Sequence, residues 1–510
     1  MQNLSNPDTE EFVKQARYSD NYDYIIDSDG KRVELDDPRI VHIQPYPRNY
    51  YGKHLISGIY SKFNQKVRIA GETNAEILQY AKHICSGREC VPTAAIAGAI
   101  LYDIDNYRSE DEICIYRSPF EQNGPCQNGG WPLLFNTFSK RLNLRNVILG
   151  EAPYMDNNFL GLPLKLIIEE IYADITSQVI EEARNALYCV AKDPESAMEL
   201  FETITDEFVD DIQNKNVRDG LKKWTEKISK IPHRFKVQDM PKVLIIGGLN
   251  LAFTHYPVEK YFLDNGIIPK VIDSTDTLHF LFSEFLTREG FKKGKTTPKA
   301  QFSIPSLLLS YILDKNKKET SELLYHRFTM YLLQLRAAEI RDVMKSTGLL
   351  FEEDLNFINL LEVSNEYVSC NTFSETSLVT GRFIESAKTN HFDAIVNMGT
   401  FNCQPAMNSH AIIRPLANNS EMPYAAIDCE GPWISTNQNR LLETIAIQAK
   451  RYKENKNRRE KAPLQKSSFN EWNFSSLNSI KNVFVDIIEK GFIFYLEQSR
   501  TPSLKWLKLF

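Results

Sequence analysis

Three of the eight cysteines have the same kind of surroundings in the sequence. Cys90 lies in ECVP, Cys126 in GPCQNG and Cys403 in FNCQP, and each begins or precedes a predicted helix. A thiol at the start of a helix faces free N–H groups and the positive end of the helix dipole, and both favour the thiolate. The thiolate is the form that binds metals or acts as a nucleophile. These three cysteines are therefore the first candidates for chemistry.

The segment around Cys403 predicts one βαβ unit. The apolar run over 393–398 is typical of a buried strand, and it breaks at a Gly-Thr pair. A helix is predicted over 403–413, and the apolar run over 424–427 indicates the next strand. Cys403 is thus expected in the turn that joins a strand to the following helix.

The same alternation extends over most of the chain. Further strands are predicted over 67–70, 113–117, 147–149, 243–246 and 269–273. Helices are predicted over 75–84, 131–142, 256–265, 374–388 and 437–450, and another begins near Pro92. The long stretches 162–230 and 279–351 are also predicted to be helical. This pattern predicts an α/β fold of two Rossmann-like, doubly wound parallel-sheet domains with helical insertions.

The predicted organisation has four parts, with a boundary near 231–240. They are an N-terminal lead-in (1–45), a first α/β domain with a helical segment (46–235), a second α/β domain (241–455) and a C-terminal helical segment (456–510). Gly247-Gly248 follows a predicted strand, but GGLNLAF is not GxGxxG, so nucleotide binding is disfavoured there.

Composition excludes several classes of function. The net charge is −6 with acidic and basic residues interspersed, so no basic field for nucleic acid is expected. No run approaches the roughly 18 apolar residues of a membrane helix. The polar, acidic N-terminus is unlike a signal peptide, so a cytoplasmic location with reduced thiols is expected.

The three cysteines leave two interpretations open. No CxxC pair is present and no histidine stands beside them at ligand spacing, which disfavours zinc. In a doubly wound fold, strand ends and helix starts converge on one edge, where three thiolates would suit an iron–sulfur cluster between two domains. A cubane would keep one iron open for another group. The alternative is three buried structural cysteines, since free cysteine is common in cores.

Other residues have weaker claims to a role. Cys429 could be a further metal ligand or a core thiol. Glu89, Asp428 and Glu430 are acid–base candidates that are more often helix caps or solvated carboxylates. His410 is expected to be packed or exposed. Of the remaining cysteines, Cys114 and Cys189 are expected to be structural, and Cys85 and Cys370 are weak candidates for further ligands.

Roughly residues 45 to 455 resemble the 2-hydroxyacyl-CoA dehydratase superfamily, above all the dehydratase-like portion of acyl-CoA-enzyme activase and double-cubane-cluster proteins. The resemblance lies in KVLIIGGLN, SETSLVTGRFIESA, DAIVNMGTFNCQPAM, MPYAAIDCEG, NRLLETIAIQAKR, GRECVPTAAIAG and GPCQNGGWPLLF. It implies paired Rossmann-like domains and a [4Fe–4S] cluster, or a double-cubane cluster, ligated by Cys90, Cys126 and Cys403.

The resemblance also implies a function. The chain would be an iron–sulfur redox protein, an ATP-activator-dependent low-potential reductase or dehydratase-like component acting on a small-molecule or acyl-CoA substrate. It would act as a homodimer or heterodimer. The chain departs from the family at Gln127, where relatives carry Arg, and no phosphate loop of an ATPase is found, so a separate ATP-hydrolysing activator is expected.

Two other functions remain possible from the sequence. The chain could be a non-catalytic iron–sulfur electron carrier or an assembly partner in a larger complex. It could also be an α/β binding protein without a cluster.

Overall fold

The structure is a computed structural model that describes residues 13–46, 48–117, 126–150, 159–212, 217–247, 256–272, 274–313, 317–351, 356–372, 374–431 and 433–460. Its strands are β1 (Arg17–Tyr18), β2 (Tyr24–Ile26), β3 (Arg32–Glu34), β4 (Ile40–Gln44), β5 (Val67–Ile69), β6 (Ile113–Arg117), β7 (Val147–Gly150), β8 (Lys242–Ile246), β9 (Ile268–Val271), β10 (Ala394–Thr400) and β11 (Tyr424–Cys429).

The helices alternate with these strands or follow them in long runs. They are α1 (Tyr50–Lys62), α2 (Ala75–Ala81), α3 (Val91–Asn106), α4 (Trp131–Arg141), α5 (Leu164–Val190), α6 (Pro194–Ile212), α7 (Val217–Ile228), α8 (Tyr256–Asp264), α9 (Ser274–Lys292), α10 (Pro298–Gln301), α11 (Ile304–Leu313), α12 (Lys317–Met344), α13 (Phe357–Ser364), α14 (Thr376–Thr389), α15 (Gln404–Asn419) and α16 (Thr436–Glu460). The helical stretches predicted over 162–230 and 279–351 are confirmed.

Two four-stranded parallel sheets form the framework, in the orders β5-β4-β6-β7 and β9-β8-β10-β11. When the strands of each sheet are numbered in chain order, both sheets have the spatial order second, first, third, fourth. Each sheet therefore has a switch point between its first and third strands, where the connections leave in opposite directions and a crevice opens at the carboxyl ends. The predicted fold class is confirmed.

The two ends of the predicted organisation differ from the structure. The prediction of a lead-in over residues 1–45 misses β4, a fully buried strand of the first sheet, and the antiparallel ribbon β1–β2–β3 before it. His42 and Gln44 interrupt the apolar pattern of β4, although both side chains are buried. At the other end, α16 continues to Glu460, and the remainder of the predicted segment 456–510 lies outside the described residues.

A glycine allows the end of β8 to lie close to β10 at the second switch point. Gly247 follows β8 with a φ of +144°, and a Cβ atom there would lie 1.8 Å from the carbonyl oxygen of Met398 in β10. No side chain fits such a contact, and glycine alone adopts this backbone conformation readily. The first glycine of the Gly-Gly pair is thus explained by backbone packing; Gly248 lies outside the described residues.

The long helix α5 connects the two sheets through buried carboxylates. Near its start, Glu170 forms an ion pair with Arg117 at the end of β6, at 3.2 Å. Twelve residues later, Glu182 pairs with Lys270 of β9 at 3.1 Å and with Arg341 of α12 at 2.8 Å. The Glu170 and Glu182 side chains are about 1% and 0% exposed, so protein groups replace water around both charges. Gln44 and Tyr60 also donate to Glu170, and the Phe351 N–H donates to Glu182. One helix therefore fixes the relative position of both sheets.

We predict that Glu182→Gln destabilises the protein. Burial alone would raise the pKa of Glu182, but Arg341 and Lys270 outweigh it and hold the pKa well below 4.5, its ordinary value. Removing the carboxylate takes away the anion that Arg341 and Lys270 share in the protein interior, which costs about 3–5 kcal/mol. Urea unfolding at pH 7 measures this loss, and Glu34→Gln, whose ion pair with Arg32 lies on the surface, is the matched control.

The pH dependence of this effect has a defined sign. A carboxylate with a depressed pKa stabilises the fold fully above its unfolded pKa and loses that contribution as the pH falls toward the folded value. The difference in unfolding free energy between wild type and Glu182→Gln should therefore shrink below about pH 4.5. A difference that stays constant from pH 7 to pH 3 would contradict the assigned ion pairs.

Candidate functional site

Cys403 lies at the second switch point, in the turn between β10 and α15. Asn402 adopts a left-handed conformation with a φ of +61°, which turns the chain sharply after the strand. The Cys403 N–H then donates to the Thr400 carbonyl at 3.0 Å, and Cys403 is the N-cap residue of α15. Pro405 occupies the first turn, where its missing N–H costs nothing. The predicted strand, turn and helix are confirmed here.

Cys90 and Cys126 lie side by side in the first domain. Cys90 is the N-cap residue of α3, and its N–H donates to the side-chain oxygen Oε1 of Gln127 at 2.7 Å. Cys126 directly precedes this glutamine, at the start of a short 3-10 helix that leads into α4. The Gln127 side chain therefore ties the two cysteine segments together. Gly124 and Pro125 of the GPC motif lie outside the described residues.

A short chain of hydrogen bonds reaches the Cys90 sulfur. The indole Nε1 of Trp131 donates to Thr93 Oγ1 at 2.7 Å, and that oxygen lies 3.1 Å from Cys90 Sγ. Because the hydroxyl oxygen already accepts a bond from the indole, its own proton is free to point to the sulfur. Hydrogen bonds to a ligating sulfur are one way in which a protein tunes a metal centre.

The two domains meet at these turns. The N–H of Val91, next to Cys90, donates to the carbonyl oxygen of Phe401 in the Cys403 turn at 3.3 Å. The thiols of Cys90 and Cys403 are close enough to interact electrostatically. The structure thus brings Cys90 and Cys403 together across the domain interface, with Cys126 beside Cys90. Three distant segments of the sequence converge as a shared site would require.

Glu375 belongs to the same site, although the sequence did not single it out. It is the N-cap residue of α14, its side chain is nearly completely buried, and its carboxylate interacts electrostatically with both Cys90 and Cys403. Burial raises the pKa of Glu375 to about 7. Its position in the motif SETSLVTG, directly before a predicted helix, was the one available signal.

Burial outweighs the helix dipole at the cysteines. Burial, together with the neighbouring Glu375 carboxylate, raises the pKa of the Cys403 thiol to about 12. The pKa of Cys90 is also raised by burial, with Thr93 opposing the rise. The helix-start N–H groups do lower the pKa of both thiols, as expected, but desolvation of the charge outweighs them. A positively charged group at the site would reverse the balance, as metals do for their thiol ligands.

The donor set fits an iron–sulfur cluster better than a single metal ion. Within the described ranges, no group of three or more His, Cys, Asp or Glu side chains is arranged to hold a metal ion. The ligands of a cubane bind separate irons and therefore stand farther apart than the ligands of one ion. Three soft sulfur donors without a neighbouring histidine are typical of iron–sulfur clusters.

A cavity opens beside the cysteines. It has a volume of about 560 Å³ and is lined by residues that include Cys126, Gln127, Thr93, Trp131 and Glu89. Small-molecule sites occupy clefts of similar volume. The cavity thus offers a route by which a small molecule can reach the sulfur of Cys126.

The acid–base candidates do not converge on the cysteines. The Glu89 carboxylate accepts hydrogen bonds from the amides of residues 86–88, and these bonds lower its pKa against the opposing effect of burial. It therefore caps a turn. Glu430 is exposed. Asp428 Oδ1 lies 3.6 Å from Nδ1 of His410, and the Asp428 side chain is mostly exposed.

The remaining cysteines are dispersed. Cys429 is buried in the core of the second sheet, and its carbonyl oxygen accepts the Phe401 N–H at 3.0 Å. The Cys370 thiol lies 3.5 Å from Gln301 Oε1. The other three pack against core clusters: Cys85, Cys114 and Cys189. Of these five, Cys85 is the one with an electrostatic interaction with Cys90.

Comparison with known proteins gives no relative. No protein-family model matches this chain, and no curated protein matches it. No helix in the described part of the chain is long and apolar enough to span a membrane. The function must therefore be inferred from the side chains of the site.

We predict that Gln127→Leu destabilises the Cys90 segment. The substitution leaves the Cys90 N–H without its acceptor, and an unpaired buried donor costs about 1–3 kcal/mol. Gln127→Glu, which keeps an oxygen at the same distance, should retain most of this stability. Chemical unfolding of both variants measures the effect; equal stability of Gln127→Leu and wild type would show that this hydrogen bond does not hold the segment.

Proposed function

We propose that this chain is an iron–sulfur redox protein that binds a [4Fe–4S] cluster through Cys90, Cys126 and Cys403. One observation carries the proposal: the thiols of Cys90 and Cys403, from different domains and each at a helix start, meet at one interface, with Cys126 beside Cys90. Neutral thiols with raised pKa values gain most from a cationic partner, because binding converts them to thiolates. Three cysteines leave one iron of a cubane without a cysteine ligand.

The residues around the thiols would orient and tune the group. Thr93 Oγ1 lies 3.1 Å from the Cys90 sulfur and would donate to it in the thiolate form, and Gln127 fixes the Cys126 turn against Cys90. The burial of Cys90 excludes water from that ligand. A bound cluster supplies one-electron transfer at a potential set by such hydrogen bonds and by burial. The protein's part is positioning and electrostatics.

We infer further that the protein is a component of a low-potential reductase or dehydratase system. The resemblance to 2-hydroxyacyl-CoA dehydratases supports this, as does the cavity beside Cys126. A separate ATP-hydrolysing activator would deliver the electron, and the substrate would be a small molecule or an acyl-CoA. The resemblance also supports a dimer, and a double-cubane cluster as the larger alternative. A cytoplasmic location suits the free thiols.

Iron content tests the cluster. Protein purified without oxygen is expected to contain about four irons and about four acid-labile sulfides per chain. Cys90→Ser, Cys126→Ser and Cys403→Ser should each lose most of the iron, whereas Cys189→Ser, a half-buried cysteine of α5, should keep it. About eight irons would indicate a double cluster. No iron after reconstitution, or full iron in Cys403→Ser, would overturn the assignment.

Turnover tests the reaction class. The iron-loaded protein should reduce a small substrate such as acetylene, azide or hydrazine when it is supplied with an ATP-hydrolysing activator and a reductant. Rapid oxidation and reduction of the cluster without any turnover would instead indicate an electron carrier.

A further inference from the structure

We propose that Glu375 is the fourth protein ligand of the site and places a carboxylate oxygen on the iron that the three cysteines leave open. This inference rests on the proposed cluster and deepens it. It changes the donor set from three sulfurs to three sulfurs and one oxygen. Nothing in the spacing of the cysteines predicts it.

The topology puts Glu375 in the position that Cys90 has in the other domain. In both sheets a helix leads into the third strand: α3 into β6 and α14 into β10. Cys90 is the N-cap residue of α3, and Glu375 is the N-cap residue of α14. Cys126 and Cys403 each follow the third strand of their sheet. Each domain therefore contributes two groups from matching places, and three of the four are thiols.

The two helices are also held in the same way. A Cβ atom on Gly98 of α3 would lie 2.2 Å from the carbonyl oxygen of Ile77 in α2. A Cβ atom on Gly381 of α14 would lie 2.3 Å from the carbonyl oxygen of Leu360 in α13. In both domains a glycine thus lets the helix press against the backbone of the helix before it. The matching packing fixes both helix starts toward the interface.

Local hydrogen bonds fix the start of α14 against the start of α15. Ser374 Oγ donates to Thr376 Oγ1 at 3.0 Å, and Thr376 Oγ1 donates to the Pro405 carbonyl at 3.2 Å. Pro405 lies two residues after Cys403. Glu375 is therefore held between two anchored neighbours, beside the cysteine of its own domain.

The buried Glu375 carboxylate accepts a hydrogen bond from its own N–H but has no cationic partner among the described residues. The residue is 6% exposed, and its side chain makes no capping hydrogen bond to α14. Among the described residues, no Lys, Arg or His forms a salt bridge with it. An isolated carboxylate is costly to bury, so such groups are paired, protonated or bound to a metal. The titratable groups on which Glu375 acts electrostatically include the thiols of Cys90 and Cys403.

Coordination by Glu375 would be a ligand exchange. The protonated Glu375 carboxyl group would release its proton to solvent, and one carboxylate oxygen would bind the iron in place of a water molecule, with no change in the oxidation state of the iron. A carboxylate oxygen is a harder ligand for iron than a thiolate sulfur is. The open iron would then be protected at rest and still be accessible to a competing substrate oxygen.

Spectroscopy of the ⁵⁷Fe-reconstituted protein tests this ligand. In wild type, one of the four irons should differ from the other three in its Mössbauer isomer shift. In Glu375→Cys the four irons should become alike. In Glu375→Gln the cluster should still assemble, but a chelator should remove iron about tenfold faster or more. Glu366→Gln, an exposed glutamate after α13, is the control and should behave as wild type.

The outcomes separate this proposal from the proposed function. If the Mössbauer and EPR spectra of the cluster are the same in wild type, Glu375→Cys and Glu375→Gln, Glu375 is not a ligand. The proposed cluster itself would not be contradicted by that result. Wild type without iron would overturn both. If circular dichroism shows that Glu375→Gln does not fold, the Mössbauer spectrum of Glu375→Cys tests the ligand instead. The cysteine thiol can occupy the position of the carboxylate.

Discussion

The arrangement of the site depends on the buried carboxylates of α5. Glu170 and Glu182 lie twelve residues apart, about 18 Å along the helix, and each pairs with a cation from a different sheet. A buried charge is tolerated only with its partner in place, so other positions of the sheets relative to α5 are strongly disfavoured. In the arrangement that remains, the carboxyl edges of the two sheets face each other, and Val91 reaches Phe401. The meeting of Cys90 and Cys403 is a consequence of this constraint.

Burial then acts twice on the chemistry of the interface. It raises the pKa values of Cys90, Cys403 and Glu375, which makes the assembled side chains reluctant to carry charge. The same desolvation makes them strong ligands once a cation is present, because water no longer competes for their lone pairs. A site of this kind is neutral when protonated and binds metal with release of protons.

Local signals in the sequence predicted most of the framework and the three cysteines. The strand β10 and the helix α15 follow from an apolar run, a Gly-Thr break and Pro405, all within a few residues. The strand β4 was missed because His42 and Gln44 break its apolar pattern, and only the tertiary structure buries them. Glu375 was missed for a related reason. Its partners Cys90 and Cys403 come from other segments, and a glutamate before a helix is ordinarily a solvated residue.

The structure shows what the glutamine at position 127 does in place of the arginine expected from the family resemblance. The dehydratase family to which the proposed function relates this chain carries an arginine after the Gly-Pro-Cys cysteine, and a guanidinium has five donors and no acceptor. Here the side-chain oxygen of Gln127 accepts the N–H of Cys90, a bond that arginine cannot form. The exchange also removes the positive charge that an arginine would carry next to Cys126. A cluster held by three thiolates and a carboxylate would then be more negative overall, and added negative charge lowers the reduction potential. The substitution therefore fits a centre that operates at the low-potential end of the range.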